Sequence, residues 1–312
     1  MLAPAQRLPG GAAFTNWMQR RGVFKAAAHA TIGVAKERNL PDVSARSFHR
    51  VFARRYRPPA EPLGRVLLFA DEFTDRFEAE IGWAAVELLV AGGYAVEVPR
   101  LGPSGRTHLS KGFVREARRA IEENLRRIEP RLDHVDAIVG VEPSAVLTLV
   151  DEAVDLPADA HVRALATRAA AKTQLVQDFV AGAVRAERWR AEWRRQPAHV
   201  LLHGHCHQKA LVGIEMTKQA LALPPNYTVE VVPSGCCGMA GSFGYQAKHY
   251  ATSMAIGELV LFPAVRGAAA GTIVVAPGTS CRHQIADGTG RSALHPVQVL
   301  RDALADRPIV PA

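Results

Sequence analysis

An internal repeat is the feature of this 312-residue chain that most restricts its fold. Segments of its first part match segments of its second part in the same order, at offsets of 133 to 136 residues. The matched pairs are 66–72 with 200–206, 93–98 with 226–231, 102–105 with 235–238, 138–139 with 273–274, and 143–145 with 279–281. Such self-similarity predicts two copies of one structural unit that pack together.

Each copy alternates short apolar runs with amphipathic stretches. Runs of strand length lie at residues 66–70, 95–98 and 137–141, and again at 200–202, 229–232 and 272–276. Helical periodicity is clearest at 113–128, with Ser110 as a candidate cap, and at 247–261. Strands that alternate with helices pair in parallel through right-handed crossovers. The predicted fold class is α/β, with two pseudo-symmetric parallel-sheet halves.

The same patterns divide the chain into four segments. Residues 1–60 are predicted to form a basic, helical N-terminal segment, and residues 61–151 the first half. Residues 152–197 are predicted to form a helical connector, and residues 198–312 the second half. The connector is rich in Ala, Arg and Glu, as helices that join two units often are.

All the cysteines of the chain lie in the second half. They are Cys206, Cys236, Cys237 and Cys281. The first half has other residues at the matching positions, namely Glu72, Pro103, Ser104 and Ala145. Each cysteine segment follows a predicted strand, and the carboxyl ends of parallel strands meet at one edge of a sheet. The sequence therefore predicts that the four thiols converge there, as candidate metal ligands.

Four thiolates suit either an iron–sulfur cluster or a tetrahedral zinc ion. The adjacent pair Cys236 and Cys237 favours a cluster, since neighbouring sulfurs can reach different irons. Zinc, a vicinal disulfide and unliganded thiols remain alternatives. The candidate cofactor-binding residues around the cysteines are Gly235 and Gly238, which allow close backbone approach, and His205 and His283, which can hydrogen-bond near a centre.

No catalytic residue is assigned, because the sequence contains no Walker loop, GxGxxG turn, nucleophile elbow or HExxH helix. The net charge of +8 comes from residues 1–60, which carry eleven Lys and Arg against two acids. A basic segment of this kind binds nucleic acid or an anionic membrane in some proteins. The preferred interpretation is a basic surface that docks on an acidic partner or on the chain's own acidic body, and no nucleic-acid partner is expected.

Three stretches carry a specific resemblance: GHCHQKAL, GCCGMAGSFGY and GTSCRHQIADGTGR. They resemble the cysteine-rich CCG domain found in heterodisulfide reductase and in the iron–sulfur subunits of glycolate and lactate oxidation. The likeness is greatest to the C-terminal region of FAD-linked D-2-hydroxyacid dehydrogenases of the D-2-hydroxyglutarate or D-lactate type. SKGFVREARR and VGVEPSAVLTLVDE resemble a first CCG copy, so the first half looks like a degenerate CCG unit without cysteines.

The resemblance implies a cluster held by Cys206, Cys236, Cys237 and Cys281. The fuller family pattern ends in CxxC, whereas Arg282, His283 and Gln284 follow Cys281 here, so a four-cysteine 4Fe-4S cluster fits better than a five-cysteine one. Family members carry an FAD domain and a CxxCxxCxxxCP segment that this sequence lacks. FAD is therefore expected on a partner chain only.

The implied function is that of an electron-transfer subunit or C-terminal fragment of an FAD-linked D-2-hydroxyacid dehydrogenase. Its expected partners are the FAD-containing subunit and a quinone or soluble electron acceptor. A non-redox scaffold with structural zinc or free thiols, thiol–disulfide catalysis and a decayed fragment are the alternatives. The sequence shows neither a signal peptide nor a membrane-length apolar run, so a cytoplasmic location is expected. Peripheral association with the inner face of the membrane is a further alternative.

Overall fold

The computed structural model describes residues 6, 8 and 10–306. The strands are β1 (Gly64–Leu68), β2 (Tyr94–Glu97), β3 (Ala137–Gly140), β4 (Thr173–Leu175), β5 (Ala198–Leu202), β6 (Tyr227–Val231) and β7 (Ile273–Val275). The helices are α1 (Gly11–Gln19), α2 (Gly22–Ile32), α3 (Phe48–Arg55), α4 (Glu72–Arg76), α5 (Ala79–Ala91), α6 (Arg106–Leu109), α7 (Val114–Leu132), α8 (Pro143–Val146), α9 (Glu152–Asp155), α10 (Ala160–Lys172), α11 (Val176–Arg185), α12 (Cys206–Leu211), α13 (Glu215–Leu221), α14 (Tyr250–Leu259), α15 (Leu261–Gly267), α16 (Thr279–Thr289) and α17 (Pro296–Asp302). Short 3₁₀ turns lie at Leu147–Leu149, Phe243–Tyr245 and Ala247–His249.

The strands form two parallel sheets, with strand orders β2-β1-β3-β4 and β6-β5-β7. The predicted α/β class with two parallel sheets is confirmed. In each sheet the first strand of the half is central, flanked by the second and third strands. Leu67 faces Glu97 and Ile138 in the first sheet, and Leu201 faces Glu230 and Val274 in the second. By strand pairing, Ile138 therefore corresponds to Val274, whereas the sequence alignment pairs it with Ile273. Short apolar runs resemble one another at neighbouring offsets, so similarity alone does not fix the register.

Each sheet is buried on both faces, as parallel sheets usually are. One large core lies between the halves and includes Val66 and Leu68 from the first sheet and Val200 and Leu202 from the second. Separate cores cover the outer faces, one against α7 and α10, the other against α15 and α16. The shared core fixes the two halves together and sets how their loop edges meet.

The segment 152–197 was predicted to be helical, and it also contributes a strand. The short strand β4 pairs in parallel with β3 and extends the first sheet by one position. Three residues are too few to give a strand pattern, so periodicity missed it. The predicted capping role of Ser110 is wrong: its hydroxyl donates to the Thr107 carbonyl at 2.9 Å, and α7 begins at Val114.

The N-terminal segment packs on both halves, with Phe48 of α3 in the large core and Arg38 against the second half. Arg38 has a fully buried side chain and forms an ion pair with Asp287 at 2.7 Å. Its guanidinium also donates to the Gly244 carbonyl and the Ser253 hydroxyl, each at 2.9 Å. For this residue, the positive charge of the segment docks on the chain's own body. In the described part of the chain, no helix is both long enough and apolar enough to cross a membrane.

The buried carboxyl group of Asp178 is expected to make the stability of the protein depend on pH. Burial raises the pKa of Asp178 to about 6, and the Thr217 hydroxyl donates to its carboxylate at 2.8 Å. A carboxyl group with a folded pKa above its unfolded value of 3.8 binds a proton on folding, so stability falls as pH rises between about 4 and 6. At about 1.4 kcal/mol per pKa unit, we expect a loss of about 2–3 kcal/mol across this range.

Asp178→Asn is expected to remove that part of the pH dependence and to stabilise the protein at pH 7. The amide oxygens of Gln177 and Gln208, which hydrogen-bond Thr217 through their nitrogens, have no partner in the described part of the chain. Urea denaturation of both proteins at several pH values measures the effect. If the free energy of unfolding changed equally with pH in the two proteins, the prediction would be wrong.

Candidate metal centre

The four cysteines converge at the carboxyl edge of the second sheet, as the sequence predicts. Cys206 opens α12 after β5, and Cys281 lies in the first turn of α16 after β7. Cys236 and Cys237 lie in the loop after β6. The thiols of Cys206 and Cys236 lie within hydrogen-bonding reach of each other, as do those of Cys236 and Cys237 and those of Cys237 and Cys281. We call these four residues the thiol row.

The thiol row runs from the surface to the core. Cys206 is exposed, Cys236 is half-buried, and the side chains of Cys237 and Cys281 are buried. No disulfide links them, and Gly238 donates its amide to the Cys236 sulfur at 3.3 Å. The outer end of the row therefore faces solvent, while its inner end is enclosed by the core between the second sheet and helices α15 and α16.

Shared hydrogen bonds divide the row into thiols and thiolates. Hydrogen bonds from Cys206 and Cys237 lower the pKa of Cys236 to about 2, and the Gly238 amide acts in the same direction. The shared hydrogen bond with Cys236 and burial raise the pKa of both Cys206 and Cys237. The Cys237 hydrogen bond and His203 lower the pKa of Cys281, against the effect of burial. Thiolate is the form that binds metal, so the row already favours two ligands in that form.

His203 belongs to the site, although the sequence did not single it out as a site residue. Its Nδ1 lies 2.7 Å from the Ser234 hydroxyl, and its buried Nε2 has no partner among the described residues. A nitrogen of this ring and the sulfurs of Cys237 and Cys281 all lie within 4.8 Å of one another. The sequence feature that could have identified His203 is its position directly after β5, where a side chain lies at the edge of the sheet.

The predicted cofactor-binding residues occupy different places. His205 is the N-cap of α12, its Nδ1 is buried without a partner in the described chain, and its ring packs on Gly278. His283 lies away from the thiol row: its Nδ1 is 2.9 Å from the Tyr245 hydroxyl, and it lines a different cavity. The Gly235 carbonyl accepts from Lys209 Nζ at 2.6 Å, which brings one positive charge to the cysteine loop.

A cavity of about 530 Å³ lies between the two halves. Cys206, Cys236 and Cys237 lie on its second-half wall, and Arg106 and Ser144 lie on its first-half wall. His207 also lines it; burial and the charge of Arg106 lower the pKa of His207 to about 4, so its ring is neutral at pH 7. The exposed end of the thiol row is thus accessible from a cleft large enough for a small molecule or a partner's side chains.

The first half holds the last ligand segment in place. Glu142 is buried and accepts from the Thr279 amide at 2.8 Å. Burial raises the pKa of Glu142, but His205 and the Thr279 amide outweigh it, and the net shift is downward. Glu78 accepts from the Thr279 hydroxyl at 2.6 Å and pairs with Arg282. Two acids of the first half therefore bind the first turn of α16, which carries Cys281.

At the matching edge of the first half, a carboxylate and a hydroxyl replace the sulfurs. Glu72 occupies the position of Cys206, and it accepts from the Ser104 amide at 2.9 Å and the Ser104 hydroxyl at 3.0 Å. Ser104 occupies the position of Cys237. The pair satisfies its own hydrogen bonds, so this edge is closed by protein contacts.

Comparisons with known proteins point to oxidoreductases. No protein-family model matches the chain. The chain is 27% identical to D-2-hydroxyglutarate dehydrogenase of Escherichia coli K12 over 247 residues, which is 77% of this chain and 22% of that protein. It is 25% identical to a subunit of anaerobic glycerol-3-phosphate dehydrogenase of the same organism over 288 residues, which is 88% of this chain and 68% of that subunit.

A third relative is lactate utilization protein A of Anoxybacillus flavithermus, 28% identical over 183 residues, 57% of this chain and 74% of that protein. The chain spans about a fifth of the length of the D-2-hydroxyglutarate dehydrogenase that it matches. Two of these three names denote a dehydrogenase or a dehydrogenase subunit, and the third denotes a protein of lactate utilization.

Proposed function

We propose that this protein is an iron–sulfur electron-transfer component of an oxidoreductase. The observation that carries the proposal is the thiol row: all the chain's cysteines meet at one sheet edge, unpaired, beside an open cavity. Cys206, Cys236, Cys237 and Cys281 would hold the cluster, of the 4Fe-4S type. Such a cluster, when bound, supplies a site that takes up and gives back one electron.

The donor set suits a cluster better than one ion. A single tetrahedral zinc needs four donors at about 2.0–2.3 Å, packed around one point. The thiols here form an elongated row that extends from solvent to core. Row-like donors and an adjacent cysteine pair favour a centre with several metal atoms.

The surrounding residues suit a negatively charged sulfur centre. The Gly238 amide points at the Cys236 sulfur, the Lys209 ammonium lies beside the loop, and His203 Nε2 has no partner among the described residues. Amide hydrogen bonds, positive charge and burial are the means by which a protein tunes the potential of an iron–sulfur centre.

The partner that we propose is an FAD-containing dehydrogenase subunit that oxidises a D-2-hydroxyacid, with a quinone or soluble carrier as the acceptor. The similarity to D-2-hydroxyglutarate dehydrogenase supports the substrate class, and the similarity to a protein named as a dehydrogenase subunit supports a separate chain. Co-purification of a flavin-containing protein under mild conditions tests this step. A preparation that stays free of flavin when co-expressed with the candidate subunit would contradict it.

Cys236→Ser is expected to abolish cluster binding, because Cys236 lies in the middle of the row and hydrogen bonds from Cys206 and Cys237 lower the pKa of its thiol. We expect the iron content per chain to fall at least tenfold and the visible absorbance to disappear. Measurement of iron and acid-labile sulfide after anaerobic purification checks this.

Ser110→Ala is the control for that variant. Ser110 lines the same cavity but hydrogen-bonds the Thr107 carbonyl of its own loop. Its substitution should leave the iron content unchanged. Full iron content in Cys236→Ser, or equal loss in both variants, would contradict the ligand assignment.

One observation favours a second candidate, a structural zinc site. His203, Cys237 and Cys281 form a compact, buried group with ligand atoms within 4.8 Å of one another, which supplies three of the four donors that a single zinc ion requires. Such a protein would be a scaffold without redox chemistry. In that case chelation would unfold the protein, and dithionite would leave its spectrum unchanged.

A further inference from the structure

We propose that the N-terminal segment and the first half together form a second binding site, for a small anion with phosphate or carboxylate groups. The site is a cavity of about 350 Å³ between α3, α4 and the loop that follows β2. Arg50, Arg76 and Arg100 line it together with His49 and Asp75, and we call it the arginine cavity. It contains no cysteine, so the proposal does not depend on the metal centre.

The arginine cavity is positively charged. Its lining has three guanidinium groups and one carboxylate, a formal charge of +2 apart from the histidine. Asp75 is already engaged: its Oδ1 lies 2.8 Å from His49 Nδ1, and its Oδ2 accepts from Arg76 Nε at 2.9 Å. The His49 amide donates to the same carboxylate at 3.1 Å. The acid therefore fixes the wall of the cavity instead of pairing with the other two arginines.

Several guanidinium donors remain available at the solvent-facing side of the cavity, where Arg50 and Arg100 are exposed. The side chain of Arg100 has no hydrogen-bond or ion-pair partner in the part of the chain that the structure describes. Arg50 uses one nitrogen, which donates to the Gln6 carbonyl at 3.0 Å. Arg76 donates to the Gln6 side-chain oxygen at 2.9 Å as well as to Asp75. The protein thus orients two of the arginines by their partners and leaves the third for a ligand.

Converging guanidinium groups recognise planar and tetrahedral oxyanions, because each presents a rigid fork of N–H donors that matches two oxygens. The volume exceeds that of a bare phosphate ion and leaves space for a small organic body beside Leu101 and Ser47. The ligand class that follows is a small phosphorylated or dicarboxylic compound.

Isothermal titration of the full chain tests the proposal, with inorganic phosphate and succinate as separate probes at constant ionic strength. We expect saturable one-site binding of at least one probe and a tenfold or greater loss of affinity in Arg100→Gln. Arg119→Gln is the matched control, since it removes the same charge from an exposed position on α7, outside the cavity. Its affinity should stay within twofold of that of the original protein.

The probes separate the sources of the anion. Binding of phosphate alone assigns a phosphate ester, binding of succinate alone assigns a dicarboxylate, and binding of both assigns a general oxyanion site. No saturable binding of either probe would overturn the proposal, and so would equal weakening by Arg100→Gln and Arg119→Gln, which would indicate a long-range charge effect. Arg100→Gln should keep the same iron content, so failure here is distinguishable from failure of the metal centre.

Discussion

Arg38→Met is expected to lower the free energy of unfolding by about 3–5 kcal/mol, the cost of breaking a buried charge pair by removing one partner. The Arg38 guanidinium is enclosed between the N-terminal segment and the second half, where it meets Asp287, the Gly244 carbonyl and the Ser253 hydroxyl. Methionine keeps the apolar part of the side chain and carries no charge. The variant therefore leaves the Asp287 carboxylate without its ion pair and the Gly244 carbonyl without this donor, while the Ser253 hydroxyl keeps only the Gln284 amide at 3.3 Å.

Urea denaturation at pH 7 measures this loss, and Arg46→Met is its control. Arg46 is exposed in the same segment, so its substitution should change the free energy of unfolding by less than about 0.5 kcal/mol. A loss below about 1 kcal/mol for Arg38→Met would show that the N-terminal segment is not held by this contact. The change should also reduce metal binding, because Gly244, whose carbonyl accepts from Arg38, donates its amide to the Met239 carbonyl of the cysteine loop at 2.8 Å.

Gly238→Ala is expected to be the most damaging single-methyl change in the metal centre. Gly238 has φ = 94°, a conformation that is strained for any residue with a side chain. A Cβ there would lie 2.2 Å from the Ser253 carbonyl oxygen and 3.1 Å from the Ile256 Cβ. Because the clash is with backbone, the loop itself must move, and we expect a loss of about 2–4 kcal/mol together with reduced iron binding.

Gly235→Ala provides a matched control in the same loop. Gly235 has no heavy atom within 4 Å of an added Cβ and does not adopt a left-handed conformation. Its substitution should leave the thermal stability close to that of the original protein. If Gly238→Ala were as stable as Gly235→Ala, the loop would not be held as described.

The sequence predicts the convergence of the cysteines because that convergence follows from topology. Once parallel strands alternate with helices, residues that follow β5, β6 and β7 must meet at one edge, whatever the details of packing. The repeat was predicted from the matched segments, and the structure agrees with it in that each sheet has the first strand of its half between the second and the third. The adjacent positions of Cys236 and Cys237 needed no structural information.

Contacts between the halves could not be predicted from the sequence. Glu78 and Glu142 stabilise the segment of Cys281 from the other half of the chain, and nothing in their local sequence indicates that they contact it. His203 and His283 show the same limit in opposite directions, since both lie near a cysteine in sequence but only His203 faces the thiols. Side-chain direction depends on helix phase and packing, which a spacing rule does not contain.

The most direct test of the account is the metal and sulfide content of the protein purified without oxygen. If the protein binds one 4Fe-4S cluster, each chain should contain about four iron atoms and about four acid-labile sulfides. The protein should also absorb visible light, and dithionite should bleach this absorbance. One zinc per chain with no iron or sulfide, or four freely alkylated thiols with no metal, would contradict it.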